Sequence, residues 1–169
     1  MFRLLPERPG DQDEVETLYD LAFAPGRQAL SSYRLRDGVP AVDGLSRVAR
    51  DEFDALVGAI RFWPIRIGEA GAPALLLGPV AVHPTRQGEG LGGLLIADGV
   101  ERAREQGWTR VVLVGDEPYY RRFGFSRAAA EALAFPPPTN PARLLARPLV
   151  EGAFDGIGGL VRRWSAGAD

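Results

Sequence analysis

Residues 83–95, HPTRQGEGLGGLL, place four glycines (Gly88, Gly90, Gly92 and Gly93) at the start of an apolar, helix-forming stretch. Successive backbone N–H groups at a helix N-terminus favour phosphate by hydrogen bonding and through the helix dipole. Glycine lets a ligand approach that backbone closely. The chemistry offered is the binding of a phosphate-bearing ligand, and three readings compete for it. Gly88, Gly90 and Gly93 satisfy G-x-G-x-x-G, and Asp116 follows at a strand end, as a dinucleotide site requires. Against this, HPTRQ separates the loop from the strand VAV, whereas a dinucleotide turn follows its strand tightly. The neighbouring strands also look antiparallel, and too little chain remains for a second mononucleotide half. A second reading makes the loop a packing device, its small residues letting helix and strand meet. The third is a coenzyme site, and it depends on residues further along the chain.

The elements that must position this loop follow from periodicity and punctuation. FRLLP is a short strand. DQDEVETLYDLAFA sets Val15, Leu18, Tyr19 and Ala22 at helical spacing with acids in the first turn. RQALSSYRLRDG forms a second helix stopped by Gly38. LSRVARD and DALVGAIRFWPIRI are strands, and Pro64 puts a bulge or an edge position in the second. ALLLGPVAVHP is apolar on both faces, which predicts a central covered strand. Its Gly78-Pro79 interrupts the ladder, because proline has no N–H to give, and predicts a bulge or splay. LGGLLIADGVERAREQG is a helix closed by Gly107, TRVVLVGD a buried strand and PYYRRFGF a short helix with Pro118 near its start. RLLARPL and GGLVRRW add two weak strands after a proline-rich loop. The order predicts a single domain over residues 1–169 of α/β class, an α+β arrangement on a mixed sheet.

Composition narrows the chemistry. There is no cysteine, which removes disulfides, thiolate nucleophiles and cysteine metal sites. His83 is the only histidine, so a multi-histidine metal site is ruled out, and no metal is expected. All 20 basic residues are arginine, which excludes a Walker A lysine and Schiff-base catalysis. A net charge of −2 argues against a nucleic-acid partner. Residues 61–127 nonetheless carry 9 Arg against 7 acids, an excess that suits a polyanionic ligand. No apolar run approaches the roughly 18 residues of a membrane span, and the N-terminus lacks a signal-peptide core, so a cytoplasmic protein without a membrane partner is expected.

The stretches LGPVAVHPTRQGEGLGGLL and VVLVGDEPYYRRFGF together favour the third reading. Gln87-Gly88-Glu89-Gly90-Leu91-Gly92 fits Q/R-x-x-G-x-G/A behind a buried strand ending in His-Pro, and Tyr120 stands four residues before Gly124-Phe125. In this the chain resembles the GNAT superfamily of acetyl-CoA-dependent N-acetyltransferases, most closely its small bacterial members with a YYxRFGF motif. The resemblance extends over most of the chain, YRLRDG and EGAFDGIGGLV included. It implies a sheet with splayed central strands and helices on both faces.

The resemblance also assigns roles. It implies that acetyl-CoA is the donor and that the backbone of Gln87, Gly88, Glu89, Gly90, Leu91, Gly92 and Gly93 binds its pyrophosphate. Glu89 should turn its carboxylate away, and Arg86 is either a counter-charge or a solvated surface residue. The pantetheine arm should lie in the splay beside Val80, Ala81 and Val82, whose backbone would polarise the thioester carbonyl. Tyr120 matches the tyrosine that protonates the departing thiolate, a transfer close to balanced at reference pKa values. Tyr119 packs or lines the pocket. No general base carries over: His83, Asp116, Glu117, Glu52 and Asp54 remain in view, as does an amine that arrives already deprotonated. The acceptor, a small-molecule or peptide amine, is expected near residues 24–45 and 64–73. There Arg27, Arg34 and Arg36 are read as solvated helix charges, the alternative being contact with a carboxylate on the acceptor. Direct acetyl transfer in a ternary complex is the resulting expectation, and a homodimer is compatible with it. The rival is a CoA-binding or interaction domain without turnover.

Overall fold

A computed structural model describes residues 1–23 and 31–164. The expectation that a second helix begins at residue 27, and Arg27 with it, lies outside the described residues. Five of the elements form the first part of the sheet and its supports: β1 (Arg3–Pro6), α1 (Gln12–Ala22), α2 (Ser31–Arg34), β2 (Arg47–Arg50) and β3 (Leu56–Ile67). Then come β4 (Ala72–Val82), α3 (Leu91–Glu105), β5 (Arg110–Val114), α4 (Glu117–Tyr120), β6 (Leu133–Ala134), β7 (Leu144–Pro148) and β8 (Gly159–Arg163). Sequence periodicity foresaw this order except for β6, whose two residues are too short to show a period.

The sheet has eight strands, with β1-β2-β3-β4-β5-β7 in order and β8 on the outer edge of β3, where it pairs β6. It is mixed: β4 and β5 run parallel across the α3 crossover, and the flanking pairs β3-β4 and β5-β7 are antiparallel. The long strand β3 has one edge on β4, and the other is shared by β2 up to Ile60 and β8 from Ile65. Pro64 falls in the gap between those two partners, where no ladder needs its missing N–H.

Helices cover both faces. On one, Leu91, Leu95, Ile96 and Val100 of α3 pack with Phe62, Leu75, Leu77, Val111 and Leu113. On the other, Val15, Leu18 and Tyr19 of α1 pack with Leu56, Ala59 and Ala81. The alternation of strand side chains assigns consecutive residues of β4 to opposite cores.

Two features of β4 create the site. Ile60 pairs with Val80 and Phe62 with Leu77, so two steps on β3 match three on β4, and the extra residue is a bulge at Gly78-Pro79. The parallel ladder to β5 consists of Leu75↔Val111 and Leu76↔Val112. From Leu77 onward the β5-facing backbone of β4 has no partner in β5.

Candidate active site

The splay opens a cavity of about 150 Å³ lined by Leu77, Gly78, Pro79 and Val80 on β4 and by Leu113 and Val114 on β5, with Tyr120 and Arg36 on its walls. A second concavity is formed by the loop 86–93, Val82, Tyr119, Arg122 and Phe123. Val80 lines the first and Val82 the second, so the two hollows follow one another along one face of β4. Ala81 points the other way and is buried against α1, which leaves only its backbone for this side.

The glycines of the loop divide into two pairs. Gly88 and Gly90 have φ of +86° and +79°, a left-handed conformation that side chains with a Cβ rarely adopt. A Cβ at either would meet nothing within 4 Å, so the loop rim is open to a ligand there. Gly92 and Gly93 instead admit neighbours: added Cβ atoms would lie 3.3 Å from the Tyr119 hydroxyl and 3.2 Å from the Phe123 ring. The packing reading thus holds at Gly92 and Gly93, while Gly88 and Gly90 leave the open space that the ligand reading requires. Gln87 lies on the exposed loop, and Leu91 is the buried anchor of α3. Glu89 turns its carboxylate to within 3.8 Å of Arg86.

Arg86 is neither solvated nor uncommitted. It bonds Glu52 at 3.0 Å, lies 3.8 Å from Asp51 and sits over the Phe2 ring. Arg122 is the guanidinium that sequence reasoning missed. It lines the loop concavity, donates to the Tyr119 carbonyl at 3.0 Å and makes no ion pair among the described residues. Its signal was its place three residues after Tyr119, which puts both on one side of a helical turn.

The two adjacent tyrosines serve different hollows. Tyr119 lines the loop concavity, and Tyr120 lines the splay. Tyr120 is half-buried, edge-on to Tyr119 and Phe125, and its ring leaves no room for a Cβ at Gly115. Burial, reinforced by Tyr119 and Asp116, pushes its phenol pKa up to about 12. Complete proton transfer to a thiolate is therefore less balanced than reference values suggest. The hydroxyl stays protonated across the neutral range and is a dependable hydrogen-bond donor.

The base candidates lie elsewhere. His83 Nδ1 accepts from the Thr85 N–H at 3.2 Å, capping the turn at Pro84–Arg86, and lines a hollow against α1. Asp116 is bonded by Arg143 at 2.6 Å, and Glu117 accepts from the Arg127 N–H at 2.8 Å. Glu52 is held by Arg86, and Asp54 pairs with Arg3. Among the described residues, no carboxylate or imidazole lines the splay. Glu16 and Asp37 line a neighbouring hollow with Tyr19, Arg61 and Trp63. Among the described residues there is also no group of three or more His, Asp or Glu able to hold a metal ion, and no helix is long and apolar enough to cross a membrane.

Parallel strands parted beside a glycine loop at a helix N-terminus make the site of an acyltransferase. The acetyltransferase (GNAT) domain family matches residues 43–127. The uncharacterized N-acetyltransferase YhbS of Escherichia coli is 29% identical over 155 residues, 92% of each chain. The crystal structure of Escherichia coli YhbS in complex with CoA superimposes with a TM-score of 0.81 at 28% identity, covering 97% of this chain and 89% of that one. A GNAT acetyltransferase of Brucella melitensis in complex with acetyl-CoA gives 0.72 at 32% identity, covering 100% and 99%. The uncharacterized N-acetyltransferase YjhQ of Escherichia coli is 35% identical over 123 residues, 72% of this chain and 67% of its own. The chain belongs to the GNAT acetyltransferase family. The dinucleotide reading falls with that finding, and the geometry gives the reason: eight residues separate the end of β4 from the start of α3.

Proposed function

We propose that residues 1–169 act as one catalytic domain that moves an acetyl group from acetyl-CoA to an amine, by direct attack in a ternary complex in the cytoplasm. The observation that carries this reading is the alignment of the two hollows along β4, with Tyr120 on the wall of the inner one. Both fit the donor: the loop rim has room at Gly88 and Gly90, and the splay leaves backbone to pair with an extended pantetheine arm.

In this reading the N–H groups of Gln87 to Gly93 hold the pyrophosphate at the α3 N-terminus. Glu89 contributes backbone only, and Arg122 replaces Arg86 as the counter-charge. The pantetheine passes Val82 and Val80. A main-chain N–H at the bulge polarises the thioester carbonyl. The amine lone pair attacks the carbonyl carbon, and the carbon–sulfur bond breaks as the tetrahedral intermediate collapses. The Tyr120 hydroxyl donates a hydrogen bond to the sulfur as charge gathers there. The amine proton leaves to solvent, and the thiolate is protonated to give free CoA. With no acid in the splay among the described residues, the acceptor enters as the neutral amine.

The test follows thiol release from acetyl-CoA with a panel of primary amines, alongside CoA binding by calorimetry. Release with at least one amine, in proportion to acetylated product, supports the reading. Tight CoA binding with no release on any amine supports a binding module instead.

A further inference from the structure

Arg36 stands at the junction of the splay and the hollow beside it: the residues shared by the two linings are Tyr33, Arg36 and Pro79. It is tied down on both sides, by buried Leu35 and by the Asp37 carbonyl, which accepts from Arg163 at 2.7 Å. Its guanidinium carbon lies 3.7 Å from the Tyr33 ring centre and 5.3 Å from that of Trp63. Trp63 is itself fixed, its indole N–H donating to the Gly78 carbonyl at 2.7 Å. The Arg36 Nε is buried without a hydrogen-bond partner. Burial holds its pKa below the ordinary arginine value, with Tyr33 and Tyr19 acting the other way and Arg61 adding to the depression. Among the described residues, no carboxylate lies within 4.0 Å of it. This is not the solvated helix charge that the sequence suggested.

A desolvated cation without a counter-ion is costly to hold, and a binding anion recovers that cost. The surroundings restrict the anion. Arg61 is already matched, by Glu7 at 2.8 Å and Glu16 at 2.6 Å, so among the described residues lining this hollow Arg36 is the cation left to a ligand. One guanidinium suits a singly charged, planar group, whereas a dianion would face Glu16 and Asp37 across the hollow. Stacking on Tyr33 presents the guanidinium edge, the side that pairs with a carboxylate. Arg36 and Tyr120 line the same cavity, so an acceptor that meets the thioester there holds its amine and its anion close together.

Building on the acetyl-transfer reading, we propose that Arg36 clamps a carboxylate on the acceptor. The amine acetylated by this protein therefore carries a carboxylate close to its amino group, as an amino acid does.

The test compares each acceptor as the free acid and as its carboxamide, glycine against glycinamide and β-alanine against β-alaninamide among them. Amidation lowers the amine pKa and by itself favours the amide, so a preference for the acid has to come from the site. The wild-type protein should prefer acids by about 100-fold in kcat/KM. Arg36→Gln should bring acid and amide together through a rise in KM for the acid, and Arg36→Lys should recover part of the difference. Equal use of acids and amides by the wild type, or a preference that survives in Arg36→Gln, overturns the proposal. If CoA binds and no amine is turned over, the acetyl-transfer reading fails on its own. Saturation-transfer NMR on the CoA complex then decides for Arg36. Acids that bind where amides do not, with the difference lost in Arg36→Gln at unchanged thermal unfolding, sustain the clamp. No such difference refutes it.

Discussion

The Tyr19 hydroxyl donates a 3.0 Å hydrogen bond to the carbonyl oxygen of Pro79, joining the middle of α1 to the bulge of β4. With the Trp63 indole on Gly78, two consecutive carbonyls at the bulge are each held by a side chain from a different element. A bulge frees backbone groups from the ladder, and here neighbouring elements satisfy them.

Replacing Tyr19 with phenylalanine keeps the ring and leaves a buried carbonyl without its donor. The expected loss is about 2 kcal/mol of stability, measured by urea unfolding. Turnover should fall as well, because in the proposed mechanism the bulge sets the backbone that faces the thioester, while CoA affinity measured by calorimetry stays close to wild type.

Tyr120→Phe should lower kcat by about 10- to 100-fold with little change in KM for acetyl-CoA. Since burial pushes this phenol to about 12, the loss should be uniform between pH 6 and pH 10. A loss that changed with pH in that range would contradict a hydroxyl that stays protonated there. The stability consequence has a definite sign. The unfolded chain releases the proton near pH 10 and the folded chain near 12, so this contribution is present below pH 10 and lost as pH rises through that window.

Among the described residues no base lines the splay, so kcat/KM should rise with pH along the titration of the acceptor's own amine. Two acceptors of different amine pKa should show correspondingly displaced profiles. A shared inflection, independent of the acceptor, would point to a protein base instead.

The loop offers two independent probes of donor binding. Gly90→Val puts a β-branched side chain at φ of +79° and should weaken CoA binding by about 10-fold or more. Arg122→Gln should weaken it by a factor of several at low ionic strength and by less at high salt, because this cation is exposed. Calorimetric titrations at two salt concentrations separate the backbone effect from the charge effect.

Away from the site, Asp98 on α3 accepts from buried Arg47 on β2 at 3.1 Å and from Arg102 at 3.2 Å. Asp98→Ala would leave Arg47 buried without its carboxylate. A loss of about 3 kcal/mol is expected in urea unfolding, with the kinetic constants of the remaining folded protein little changed.

The strand and helix order was legible because each element carries its own local signal. Val15, Leu18 and Tyr19 repeat at helical spacing, the apolar run of β4 marks a covered strand, and Gly78-Pro79 announces the bulge. The glycine loop was legible for a similar reason: its glycines answer local needs of backbone conformation and packing. Tyr119, Tyr120 and Arg122 were visible as types, but which hollow each faces was not.

By itself, then, the sequence determined an acetyltransferase fold, its glycine loop and the place where β4 departs from the ladder, all consequences of residues near one another in the chain. Tertiary structure alone decided which charges are available. It matched Arg86 with Glu52 and Arg61 with Glu7 and Glu16, and it enclosed Arg36 between Tyr33 and Trp63 with no carboxylate beside it among the described residues. Desolvation and pairing depend on neighbours distant in sequence, and no local pattern of arginines can report them.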